Sequence, residues 1–353
     1  MSLTSQQRNR VLHLAQLTVP HDRLNYAGRF CESYLRLKLY RHEDRAALAI
    51  YNLLKQTNTR IRDAALMFAG QLRITTVGND SDSIVFRRML SREINTRLSE
   101  FNDVAARLAY QYAYTAYAAG WYGRQWMLME ASHHNPRVIP QRLSTGKAAQ
   151  GVLQPGLTEA VDNAAYEYAG NEWRDVYTSA VTASISKLKR VINGTAQAPM
   201  SVLGLTQAIS TTLGVDAPPK QAAKGLYHAV SLPTRTAVMR SANVASAEVY
   251  KTHTELLLGA MWVTSHDERV CPICSRLDGR IYVVNSLVGI ALFGLPPDGS
   301  HYGCRCTIIP LMLPVEKPDN PPTDSFDDWL DEYGFADELD YFMQDDMLES
   351  TQI

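Results

Sequence analysis

Four of the five cysteines crowd into 36 residues, as Cys271-Pro-Ile-Cys274, then 26 residues, then His301-Tyr-Gly-Cys304-Arg-Cys306. Two pairs of soft ligands, each on a tight turn and separated by a hairpin-sized stretch, match what a tetrahedral zinc ion requires. A C-x-x-C turn aims both sulfurs at one point. If residues 304–306 are extended, Cys304 and Cys306 point to the same side, whereas His301 and Cys304 could share a turn. The candidate ligands are Cys271, Cys274, His301, Cys304 and Cys306. The expected set is Cys271, Cys274, His301 and one of the two later cysteines, and the spacing leaves open which of the last three stays outside the shell. A filled four-ligand site is structural, because catalytic zinc keeps a position open for water. Structural zinc contributes about 10–16 kcal/mol of apparent binding free energy in small peptides, enough to hold a segment poor in regular structure.

Other uses of these cysteines fit less well. Met1-Ser-Leu-Thr-Ser-Gln-Gln-Arg has no apolar run of the secretory kind, so a reducing compartment is expected, where structural disulfides are rare. A redox C-x-x-C would not explain the second ligand cluster. Cys31 stands alone on a predicted helix and reads as a small buried apolar residue. His253-Thr-Glu255 ahead of Cys271-Pro-Ile-Cys274 imitates the zinc deaminase pattern. That pattern, however, has a proline where Val270 stands, and it leaves His301, Cys304 and Cys306 without work.

The rest of the chain reads as helix. Leu48, Tyr51, Leu54, Ile61, Ala65, Phe68 and Leu72 fall at helical steps on one stripe. After the cap-rich Asn79-Asp80-Ser81-Asp82-Ser83, the residues Phe86, Leu90, Ile94, Leu98, Phe101, Val104, Leu108 and Tyr112 form a second stripe, on a helix expected to reach about Glu130. Its second half carries Tyr110, Tyr112, Tyr114, Tyr117, Trp121, Tyr122 and Trp126 all round, which predicts cover on several sides rather than a nucleic-acid stacking platform. A helix is predicted from about Thr158 to Ile192, and a short one over Leu205–Leu213 closed by Gly214. A longer one is predicted to follow Pro233 and end at Gly259. Beyond it, Ala260–Val263, the residues from Ile281, and Thr307–Ile309 look like short strands. The longest uncharged stretches, Leu108–Gly123 and Ile281–Pro297, fall short of the roughly 20 apolar residues a membrane helix needs. No Gly-rich phosphate loop and no G-x-S-x-G is present, so no enzymatic activity and no small-molecule substrate are expected.

The net charge of -1 hides a division. From Val315 to Ile353 there are 13 acids and one base, Lys317, which leaves 34 bases against 23 acids in the preceding residues. A basic body suits nucleic acid or acidic protein, and an acidic tail suits a docking peptide or an internal shield. The tail also carries Phe326, Trp329, Leu330, Tyr333, Phe335 and Leu339. Purely solvating tails lack aromatics, so this one is expected to fold onto a surface, either a partner's or its own body.

The motifs together resemble the phage head morphogenesis proteins of the Mu F-like type, also called minor head proteins. The likeness runs through Trp262-Val-Thr264, Asp267-Glu-Arg-Val-Cys271-Pro-Ile-Cys274, Leu277-Asp-Gly279, Pro296-Pro297 and His301-Tyr-Gly-Cys304-Arg305-Cys306. Upstream it includes Arg235-Thr236, Arg240, Asn243 and the Leu205–Leu213 helix, and it departs at Ala237, where the family tends to an acid. It spans about residues 160–312. The resemblance implies a virion component inside the head or at the portal vertex, assembled in the host cytoplasm. Its implied partners are portal and capsid or scaffold proteins, and packaged DNA is a further partner that the basic body suits. A sequence-tolerant DNA-binding protein and a zinc-dependent hydrolase or deaminase are the alternatives.

The expected fold is mainly α: a helical body with a small C-terminal zinc-stabilised α+β element and an acidic tail. The expected divisions are a helical N-terminal domain over 1–131, a Mu F-like domain over 157–315 with its zinc site at 271–306, and the tail over 316–353.

Overall fold

Two apolar stripes at helical spacing produce two very long helices, α1 over Tyr26–Leu72 and α2 over Ser81–Ala131. The structure is a computed structural model. It describes residues 25–132, 134, 135, 137–141, 143, 173–219, 221, 224–265, 270–283, 296, 303–313, 322, 323, 325–335 and 339. The other elements are β1 (Thr76–Val77), α3 (Trp173–Gly194), β2 (Met200–Ser201), α4 (Val202–Leu213) and α5 (Leu226–Thr252). They are followed by β3 (Leu257–Val263), α6 (Pro272–Leu277), β4 (Ile281–Val283), β5 (Thr307–Met312) and α7 (Phe326–Glu332). The protein is mainly helical, with small sheets. No helix among the described residues is long and apolar enough to cross a membrane.

The chain divides into two compact units. The first draws on residues up to Asp44, Gln111–Tyr168 and Arg235 onward; the second comprises Arg45–Tyr110 and Ala169–Thr234. Each gathers pieces from both sides of the predicted break between 131 and 157.

In the second unit, Tyr51, Leu54, Ile61 and Ala65 of α1 and Phe86, Leu90, Ile94 and Leu98 of α2 are buried, as their spacing predicts, whereas Phe68 and Leu72 are half-buried and Leu48 is exposed. Asp80 starts α2 by accepting hydrogen bonds from the Ser83 backbone N–H at 2.8 Å and from the Ser83 hydroxyl at 2.6 Å. Those bonds, the hydroxyl's first, lower the Asp80 pKa. Asn58 and Ser210 exchange side-chain hydrogen bonds between α1 and α4. β1 pairs antiparallel with β2, a contact that no alternation in the sequence announces. Ser201 caps α4, and Gly214 closes it at φ 75°. Gly225 faces Gly214 with φ 90°, and a Cβ on either would strike the other's backbone or its neighbour's. The helix predicted from Thr158 is described from Trp173; the earlier residues lie outside the described part.

The helix expected after Pro233 differs at both ends. α5 begins at Leu226, holds Pro233 within it and stops at Thr252. Proline removes one backbone donor from a helix interior, and here the Thr234 hydroxyl donates to the Val230 carbonyl at 2.7 Å, the Ser231 hydroxyl to that of His228 at 3.4 Å. Gly259 lies inside β3 rather than at a helix end, paired with Val283 and Leu311.

In the first unit, β3 is the centre of an antiparallel sheet of order β4-β3-β5. Strand alternation sends Met261 and Val263 to one face, where they pack with Ile309 and Leu311, and Trp262 to the other. The α2 aromatics are buried or half-buried on all sides, so they serve the core. The described tail packs on its own chain: Phe326, Trp329, Leu330, Phe335 and Leu339 are buried. Phe326 lies against Tyr34 and Trp126, and Phe335 stacks on Tyr122 at 4.6 Å. Asp328, Asp331 and Glu332 point outward.

Candidate metal centre

The first half-site is a capped turn. Cys271 occupies the N-cap of α6 with Pro272 behind it, and its Sγ accepts the Cys274 backbone N–H at 3.4 Å. The second half-site repeats this over one residue less, with Cys306 N–H donating to Cys304 Sγ at 3.3 Å. The Sγ atoms of Cys274, Cys304 and Cys306 all lie within 4.8 Å of one another, and Cys274 and Cys304 are 3.6 Å apart. A disulfide needs about 2.05 Å, and all five cysteines are free thiols. Sulfurs sharing one tetrahedral ion at about 2.3 Å sit about 3.8 Å apart. The three thiols could therefore hold a metal ion.

Their surroundings fit that use. Trp262 is fully buried beside the cluster, with Val270, Cys271, Leu277 and Tyr282 packed around it. Its indole Nε1 finds no acceptor among the described residues, a donor suited to a thiolate. Burial, and after it the neighbouring Cys304, push the Cys274 thiol up to about 12. The hydrogen bond with Cys304, followed by burial, raises Cys306 further. Without a cation these groups stay protonated; a bound cation would supply the charge that makes thiolates stable there. Cys271 borders the cluster half-buried. His301 lies outside the described residues, as do residues 284–295 of the uncharged stretch Ile281–Pro297.

Neighbouring elements hold the loop by its backbone. On α5, Thr236, Asn243 and Tyr250 recur every seven residues, and so share one face. Thr236 Oγ1 accepts the Gly303 N–H at 2.7 Å, and Tyr250 donates to the Ile308 carbonyl at 3.3 Å. Between them, Asn243 donates to the Pro296 and Cys306 carbonyls, both at 3.0 Å, and accepts from Ile308 N–H at 3.3 Å. On α1, Arg36, Tyr40 and Glu43 form a matching row. Arg36 donates to the Thr264 carbonyl at 2.6 Å and Tyr40 to that of Arg305 at 3.0 Å. Fully buried Glu43 and half-exposed Asp44 bind both Arg235 and Arg305. Burial works to lower the pKa of each arginine, but the Glu43 and Asp44 carboxylates outweigh it and hold both above the ordinary value. Asp278 accepts the Thr264 N–H at 2.8 Å, and Gly279, at φ 76°, donates to the Trp262 carbonyl at 2.9 Å. These two explain the Leu277-Asp-Gly279 turn.

The deaminase-like residues do not join the cluster. His253 is buried and bonds through Nδ1 to its own helix end, at Val249 and Thr252, while Glu255 is exposed.

No curated protein and no solved structure matches this chain. Residues 205–309 match the family model described as "Phage Mu protein F like protein", and the stretch running from α4 through the thiol cluster into β5 is therefore phage Mu F-like.

Proposed function

We propose that this chain is a minor head protein of a bacteriophage, a structural virion component that acts at or near the portal during head assembly. The observation that supports it most is the coincidence of the Mu F-like match with the buried thiol cluster. A purely structural role suits a centre whose sulfurs are buried and whose loop is bound on two sides by helices. The ion is zinc, held by Cys274, Cys304 and Cys306 with Cys271 or His301 completing the shell. Portal and scaffold or capsid proteins are its partners.

The experiment is complementation. Heads are produced from a phage genome lacking this reading frame, with the wild-type chain or a Cys274→Ser, Cys304→Ser variant supplied in trans. The expected result is wild-type chain present at low copy in purified heads and retained with the portal after DNA is removed, with infectivity lost in the variant. Heads that are complete and fully infectious without the chain would overturn the reading.

A further inference from the structure

Outside the family match, α2 and α3 of the second unit line an open groove of about 520 Å³ whose walls include Arg87, Arg88, Arg92, Asn95, Lys189 and Asn193. The α2 positions follow steps of three and four, so they form one face, and Lys189 and Asn193 face them from α3. No carboxylate lines it among the described residues. Arg87 is 9% exposed and its guanidinium donates to the Gly78 carbonyl, which fixes the charge without neutralising it. Arg88 and Arg92 are exposed and Lys189 is half-buried; none of them has an acidic partner among the described residues. The contrast lies one turn further along α2, where Glu93 and Glu100 engage Arg97 at 2.7 and 3.1 Å. The whole unit carries sixteen basic and nine acidic residues.

We propose that this groove takes the phosphate backbone of duplex DNA without reading its sequence. Four cations along two helices suit a repeating polyanion, and Arg forks match phosphate oxygens. From Arg88 to Asn95 the helix rises about 10 Å, the length of about three base-pair steps along a duplex axis at about 3.4 Å each. No aromatic ring lines the groove among the described residues, so bases find no ring there to stack on. An acidic polypeptide would want apolar anchors as well, and Ile84 is the one aliphatic side chain in the lining among the described residues. The inference names a second partner for the head-protein reading but stands on the second unit and uses no part of the metal centre.

The test is fluorescence anisotropy of the full chain with a labelled mixed-sequence duplex, titrated with salt. An Arg88→Gln, Arg92→Gln, Lys189→Gln variant is compared with Lys55→Gln, Arg62→Gln, Arg107→Gln, which removes three exposed cations from other positions of the same unit. The groove variant should bind at least about tenfold more weakly, with a log–log salt slope shallower by about 3. The control should match the wild type, and melting temperatures should confirm that both fold. Equal losses in the two variants, or no duplex binding by the wild type, would overturn the proposal. Displacement of the duplex by polyglutamate at equal charge would also overturn it, making an acidic protein the partner. A chain that binds DNA as expected but is absent from heads would leave this groove standing and remove only the assembly reading.

Discussion

The amide of Asn243 reaches three backbone groups of the cysteine loop, and among the described residues no second side chain supplies the same three bonds. Asn243→Ala leaves the Cys306 and Pro296 carbonyls and the Ile308 N–H buried without that partner. A buried group left unsatisfied costs roughly 1–3 kcal/mol. The variant should therefore lose about 3 kcal/mol in urea unfolding with an unchanged slope; a loss within error would show that the loop holds itself. Metal content is the companion measurement. Elemental mass spectrometry on protein purified under reducing conditions should find about one zinc per chain, absent after Cys271→Ser, Cys274→Ser. The thiols were legible because metal chemistry restricts both residue type and spacing. Asn243 was noticed only through a resemblance, since its partners are carbonyls 53 and 63 residues away and a carbonyl leaves no mark on residue identity. Arg36, Tyr40 and Glu43 were missed for a related reason. Their spacing of four and three is visible, but nothing in it distinguishes a docking row from a solvated face.

At the scale of elements, the long helices were readable wherever one apolar stripe faced one core. The stripe from Phe86 to Phe101 is buried as its period predicts. Where helices are covered all round, as along α2 from Ala116 to Ala131, period carries little and composition carries more. The ends of α5 escaped because proline and glycine are ambiguous signals: Pro233 sits inside the helix rather than before it, and Gly259 lies mid-strand, paired with Val283 and Leu311. The tail's outcome depended on whether Tyr34, Trp126 and Tyr122 offer its aromatics a surface, which is a property of the fold. What α1 does for the metal loop is testable at Glu43, whose buried carboxylate binds two arginines from two other segments. Glu43→Gln removes the buried charge and leaves the two arginines leaning on half-exposed Asp44, and breaking a buried pair costs roughly 3–5 kcal/mol. The variant should melt well below the wild type and release its metal to a chelator faster. Asp44→Asn should do much less, because exposed pairs contribute about 0–1 kcal/mol.

Among the described residues the shifted tyrosines and cysteines lean one way. Burial raises Tyr117 and Tyr250 to about 12, and Tyr34 and Tyr177 higher still, while Cys274 and Cys306 are raised in the metal-free chain. Each folded-state value lies above the unfolded one, about 10 for tyrosine and 8.5 for cysteine. Between those values the unfolded chain binds fewer protons than the folded one, so stability falls as pH rises. The tyrosines contribute fully below about pH 10, and each then withdraws about 1.4 kcal/mol per pH unit toward 12. Metal changes only the cysteine part, and reverses its sign. Thiolates held by a cation need no proton, so the loaded protein should lack the share of the early alkaline loss, beginning near pH 8.5, that comes from Cys274 and Cys306, and keep the share of buried Cys31, which lies outside the cluster. It should instead lose stability on the acid side, where protons compete for the sulfurs. Thermal melts from pH 5 to 11, with and without a chelator, should give curves that converge in acid, separate increasingly as pH rises past about 8.5, and both fall further above about pH 10. Curves that superimpose at every pH would mean that the three buried thiols hold no ion, and that the cluster is a packed core of cysteines around Trp262.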